Sequence, residues 1–117
     1  MPTYILLHRL TEKGLGRVKE LNSVFGETTA QIESLGGKLL NVWVCQGSYD
    51  LVSIVEAPDE DTIASIDKAM KRNGDYRGTT LLAMPAQEFV QTFGSSPTAT
   101  QFIQTWFQAS RTARSGR

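Results

Sequence analysis

Asn41-Val-Trp-Val-Cys-Gln-Gly-Ser-Tyr-Asp-Leu-Val-Ser-Ile-Val-Glu56 reads as two strands joined by a tight turn at Gln46-Gly47-Ser48. Val42, Trp43 and Val44 on one side of the turn, and Tyr49, Val52, Ile54 and Val55 on the other, are β-branched or aromatic. Such side chains suit a pleated surface. Gly47 can take a positive φ without steric cost, as short hairpin turns often require. A buried helix would place Gly47 mid-helix among β-branched neighbours, at a cost of about 1 kcal/mol for the glycine alone.

Outward from the hairpin, the N-terminal half supplies one strand and one helical region. Gly36-Gly37 closes a helical stretch from Glu27 to Leu35 whose apolar positions are Ala30, Ile32 and Leu35. Ahead of it, Thr11 is an N-cap with Glu12 in the first turn, and Gly14 and Gly16 break the short helix it opens. Tyr4 to Arg9 is the first strand, with Ile5 and Leu7 pointing one way and Tyr4, Leu6 and His8 the other. On the C-terminal side, Pro58 ends the third strand and Asp59 caps a helix running to about Arg72. Ile63, Ile66, Ala69 and Met70 recur there at helical spacing, and acidic residues at its start with Lys71 and Arg72 at its end suit the helix dipole. Asn73-Gly74-Asp75 stops it, and Tyr76 to Met84 is the fourth strand, closed by Pro85.

The order is strand, helix, strand, strand, helix, strand. This α+β pattern gives a four-stranded antiparallel sheet with both helices on one face. The expected opposite face carries Leu6, Leu39, Trp43, Val52, Ile54, Leu82 and Met84. An apolar patch of that size is normally covered. Sheet-to-sheet pairing with a second copy is the economical cover, so a homodimer or higher homo-oligomer is expected.

Composition bounds the function. The 117 residues suffice for a modest core, and a hydrophobic fraction of 40% with 21% charged residues is ordinary for a soluble protein. Zero net charge argues against bulk attraction to nucleic acid or anionic lipid. One cysteine, Cys45, and one histidine argue against an intrachain disulfide framework and against a Cys/His metal site. No apolar run approaches the roughly 20 residues that span a bilayer. Met1 leads straight into a strand-like pattern with no basic leader, so a cytoplasmic location is the expectation. Glycine-rich phosphate loops, nucleophile elbows and paired metal-ligand spacings are absent, and no cofactor is expected.

Several tracts carry a resemblance. They are Tyr4-Ile5-Leu6-Leu7, Leu35-Gly36-Gly37-Lys38, the run from Gly47-Ser48-Tyr49-Asp50 to Ala57-Pro58-Asp59, and Thr79-Thr80-Leu81-Leu82. Together they resemble the GYD domain family over roughly Met1 to Met84, with Gly47-Ser48-Tyr49-Asp50 as a spaced form of its namesake tract. The resemblance implies a ferredoxin-like βαββαβ fold of the dimeric α/β-barrel type. It implies no particular activity, since the wider superfamily includes monooxygenases, isomerases and haem enzymes.

Candidate site residues follow from which side chains face the barrel. If Tyr4 lies opposite Ile54, then Leu6 faces Val52 and His8 faces Asp50. A His8–Asp50 pair would orient the imidazole and favour its charged form, with Asn41 and Trp43 lining the same pocket. The pair reads either as a general base or ligand anchor at the barrel mouth, or as a structural cross-strand contact with Trp43 in the core. Tyr49 and Cys45 read as structural; Arg9 and Arg77 share parity and edge positions and read as solvated charges in preference to an anion clamp.

The chain divides at about residue 85, into a fold domain over 1–85 and a helical extension over 86–117. Ala86 to Phe93 forms a short helix and Gly94-Ser95-Ser96-Pro97 a linker. Thr98 and Gln101 make a capping-box signature for a helix running to about Ala109. Its apolar residues Phe102, Ile103, Trp106 and Phe107 form one narrow stripe. The tail carries three arginines against Glu88, while the rest carries nine basic against eleven acidic residues. A stripe on so short a helix must dock on its own core, on a neighbouring subunit, on a shell or enzyme partner, or at a membrane surface, with docking within an oligomer favoured and a protein partner second. The sequence therefore reads as an oligomer-forming assembly or small-ligand-binding module whose tail mediates assembly or partner docking. The alternative is a small cofactor-independent oxygenase or isomerase acting in the barrel near His8 and Asp50.

Overall fold

A computed structural model describes residues 1–93 and 99–115. It divides into two compact units, Met1–Ala83 and Met84–Arg117. The first unit runs β1 (Thr3–Leu10), α1 (Glu12–Gly16), a 3-10 turn (Val18–Glu20), α2 (Leu21–Ser34), β2 (Lys38–Val44), β3 (Leu51–Glu56), α3 (Glu60–Lys71) and β4 (Tyr76–Ala83). The sheet order is β2-β3-β1-β4, and each neighbouring pair is antiparallel. This is the split βαβ arrangement of a ferredoxin-like fold, with β2 and β4 at the edges.

The caps are where their residue types place them. Thr11 Oγ1 accepts from Gly14 N–H at 3.1 Å and donates to the Gly74 carbonyl at 2.6 Å, tying the start of α1 to the turn before β4. Asp59 accepts from Thr62 N–H at 2.7 Å and opens α3. The Thr62 side chain first, and then this backbone hydrogen bond, hold the Asp59 carboxyl below the ordinary carboxylate range. Ile63, Ile66, Ala69 and Met70 are all buried, as their spacing predicts. Ile63, Ile66 and Met70 meet Tyr4, Leu6, Ile32 and Val55 in the main core. The helix α2 begins at Leu21, well before Glu27, and buries Val24 and Ile32, whereas Ala30 and Leu35 are exposed.

Three local features redistribute the two sheet faces. Tyr4 pairs with Val55, Leu6 with Ser53 and His8 with Leu51, one residue away from the expected register. A slip of one residue moves a side chain to the opposite face. Leu6 and His8 therefore point under the helices and are fully buried, and Ile5 and Leu7 take the open face beside Ile54 and Val52. The continuous apolar run Tyr4-Ile5-Leu6-Leu7 has no polar alternation to choose between the faces.

A bulge between Leu39 and Asn41 is the second feature. It lets Leu39 pack on the core while Trp43 stays on the open face, although both have the same parity. The third is Leu82, which pairs with Tyr4 and so lies on the helix side, leaving Leu81 opposite Ile5 on the open face. The hairpin connection is also longer than expected. It runs from Cys45 to Asp50, is closed by Cys45 N–H donating to the Asp50 carbonyl at 2.7 Å, and places Gly47 at φ 137°.

The second unit contains α4 (Ala86–Phe93) and α5 (Ala99–Ser115). The linker residues 94–98, including the expected cap Thr98, lie outside the described residues. The helix α5 continues past Ala109 to Ser115.

Candidate functional site

The sheet register lays out the open face as rows across the four strands. The first row is Lys38, Glu56, Thr3 and Ala83. The second is Asn41, Ile54, Ile5 and Leu81, and the third is Trp43, Val52, Leu7 and Thr79. Arg9 and Arg77 face each other beyond it. The centre of this face is apolar and both ends are charged. Ile5, Leu7, Val52 and Ile54 are half-buried by one another, while Trp43 is 57% and Leu81 43% exposed. Four strands about 4.8 Å apart and three rows about 6.7 Å apart make a face of about 400 Å². Its two apolar rows span about 260 Å² of this, just below the ~300–600 Å² of the largest patches on soluble monomers, which are often functional.

The opposite face holds a polar network that runs from buried His8 to half-buried Asp67 and Lys71. His8 Nε2 lies 3.1 Å from Asp67 Oδ1, and Asp67 Oδ2 accepts from Lys71 Nζ at 2.8 Å. Lys71 Nζ also donates to the Gly78 carbonyl at 3.1 Å, tying α3 to β4. The His8 ring stacks on Tyr76 with centroids 5.6 Å apart. Burial pushes the Asp67 carboxyl up, but hydrogen bonds from His8 and Lys71 and the Lys71 charge outweigh it and hold the group low. Burial first, then the neighbouring Asp75 charge, raises the Tyr76 phenol, so it stays neutral. His8 Nδ1 is buried without a hydrogen-bond partner among the described residues. The close approach of β4 depends on Gly78, where a Cβ would lie 1.8 Å from the Leu7 carbonyl oxygen and 2.8 Å from His8 Cδ2.

Among the residues singled out from sequence, His8 and Asp50 do not pair. The Asp50 carboxylate accepts from Leu10 N–H at 2.8 Å, and its own N–H donates to the His8 carbonyl at 2.9 Å. It thus extends the β1–β3 edge through backbone contacts. Asn41 and Trp43 share the open face, on the other side of the sheet from His8. The carboxylate that meets the imidazole is Asp67, signalled in the sequence only by its i,i+4 spacing from Lys71. Tyr49 and Cys45 are half-buried in the hairpin connection.

In the second unit, Phe89 packs edge-on against Trp106 with centroids 5.8 Å apart, and against Phe107 at 6.1 Å. The stripe of α5 therefore meets α4. Ile103 and Trp106 are half-buried and Phe107 remains exposed, while the Phe102 side chain lies outside the described residues. No described helix is long and apolar enough to cross a membrane.

A family model described as GYD domain matches residues 4–93, from β1 through α4. A protein of Thermus thermophilus is similar, with 29% identity over 91 residues. The match covers 77% of this chain and 96% of the relative, whose name is "Glutamine synthetase and cystathionine beta-lyase binding protein".

Proposed function

This chain belongs to the GYD domain family, and from that premise we propose that it is a protein-binding module that acts as a homo-oligomer and docks on a partner protein. The observation that carries the proposal is the open sheet face, where Trp43 and Leu81 are exposed beside half-buried Ile5, Leu7, Val52 and Ile54. Such a face is self-complementary under a two-fold axis, because apolar rows meet apolar rows. The same face of a second copy covers it, and the two sheets enclose a barrel. At about 400 Å² the face supplies roughly half of the ~800 Å² per partner of a standard interface. Residues around its rim contribute the remainder.

The name of the Thermus relative supports the second half of the reading, since that protein is described by the two enzymes it binds. A partner enzyme is accordingly the expected class of target here. The aromatic cluster of Phe89, Trp106 and Phe107 is the docking element, because Phe107 keeps apolar surface exposed after α4 and α5 have packed. Light scattering on a size-exclusion column tests the assembly. The 12.9 kDa chain should elute at twice its mass or more, and Trp43→Ser with Leu81→Ser should return it to one chain mass. A wild-type mass of a single chain at micromolar concentration would remove the proposal. Truncation after Phe93 should lower any mass above the dimer.

A further inference from the structure

We propose that Arg9 and Arg77 form a clamp for a small anionic ligand that carries two or more carboxylate or phosphate groups. The two arginines are directly paired across β1 and β4, so both guanidiniums rise from the same end of the open face. Both residues are exposed, and neither makes an ion pair or side-chain hydrogen bond with any described residue. Arg17 shows the contrast, since it bridges Glu20 and Asp75. Like charges placed directly opposite on neighbouring strands destabilise a sheet. A sheet end that keeps two unpaired arginines in register is therefore arranged for an external anion.

The surrounding surface has the size and charge such an anion requires. An open groove of about 710 Å³ runs past the pair, lined by Arg9, Thr11, Glu12, Lys13, Gly74 and Arg77. That volume lies within the roughly 300–1,000 Å³ of small-molecule sites. Three cations face one acid, Glu12. The Lys13 ammonium is already held over the groove by the Asn73 carbonyl. The planar guanidinium fork matches carboxylate and phosphate oxygens two at a time. Because the groove is open, one such contact is weak and salt-screened, which selects for a ligand that engages both arginines at once. The clamp stands on the β1–β4 register alone and does not require the sheets to pair.

Backbone NMR titration of the full chain at low ionic strength tests it, with citrate and inorganic pyrophosphate as separate ligands. The expected result is saturable shifts confined to Arg9–Lys13 and Gly74–Gly78. Arg9→Gln or Arg77→Gln should each weaken binding about tenfold, the value of one charge-assisted contact. Arg72→Gln, an exposed arginine outside the groove, should leave it unchanged. Removing either clamp arginine should also raise the melting temperature of the ligand-free chain, since the cross-strand repulsion disappears. Tighter citrate binding would identify a polycarboxylate, and tighter pyrophosphate binding a phosphorylated ligand. Unsaturable shifts with both anions, or equal weakening by Arg72→Gln, would overturn the clamp.

Discussion

Gly78→Ala is expected to be among the most damaging single-methyl additions in this chain. The new Cβ would lie 1.8 Å from the Leu7 carbonyl oxygen, where ordinary contacts begin near 3.4 Å. The carbonyl belongs to the central strand β1, which is paired on both sides, so it cannot retreat without disturbing two ladders. His8 Cδ2, 2.8 Å away, cannot yield either, because the ring is fully buried against Tyr76 and held by Asp67. Overpacking of this kind costs about 1–3 kcal/mol. Loosening one or two ladder hydrogen bonds adds about 1 kcal/mol each. A total near 3 kcal/mol corresponds to a fall in melting temperature of roughly 12–24 °C for a unit of this size. Gly26→Ala is the matched control. Gly26 lies inside α2 with open space where its Cβ would go, and alanine there should stabilise by about 1 kcal/mol. Urea titration followed by circular dichroism measures both variants. A Gly78→Ala protein within about 0.5 kcal/mol of wild type would refute the packing argument for β1 and β4.

Asp67→Asn should cost about 2 kcal/mol, because it removes the charge that His8 and Lys71 share while leaving both in place. The Asp67 carboxyl is held low in the folded chain, so its stabilisation is present above its unfolded value near ~3.9 and disappears as pH falls through the lower folded value. Acid titration of stability should therefore be shallower below about pH 4 in the Asn variant. Thr11→Ala removes both the cap of α1 and the contact to Gly74, and a loss of about 1 kcal/mol is expected by thermal denaturation.

The fold was legible because its signals are local. Caps at Thr11 and Asp59, the stripe of α3 and the glycine at the hairpin each act within a few residues, and strand order follows from their sequence. The face on which each strand residue lands was less legible, for three separate physical reasons. Tyr4-Ile5-Leu6-Leu7 is apolar on both sides, so the pattern is silent about which side meets the helices. The bulge between Leu39 and Asn41 breaks parity within β2, and nothing in Leu39-Leu40-Asn41 announces it. The length of the hairpin connection depends on Asp50 binding Leu10 N–H, a contact with a strand forty residues away. Strand parity alone sets Asp50 opposite His8, whereas the imidazole meets Asp67 from α3. Asn41 and Trp43 do not depend on that register, and they share the open face.

The proposed covering of that face by a second copy can be tested most directly through Trp43. With Trp106→Phe, Trp43 becomes the sole tryptophan, and in a single chain it is 57% exposed. Its emission should lie toward the blue at high protein concentration and shift red on dilution, as water replaces the partner sheet around the indole. Emission of a water-exposed indole at every concentration from nanomolar to millimolar would contradict the account, because the apolar rows would then stand open to solvent.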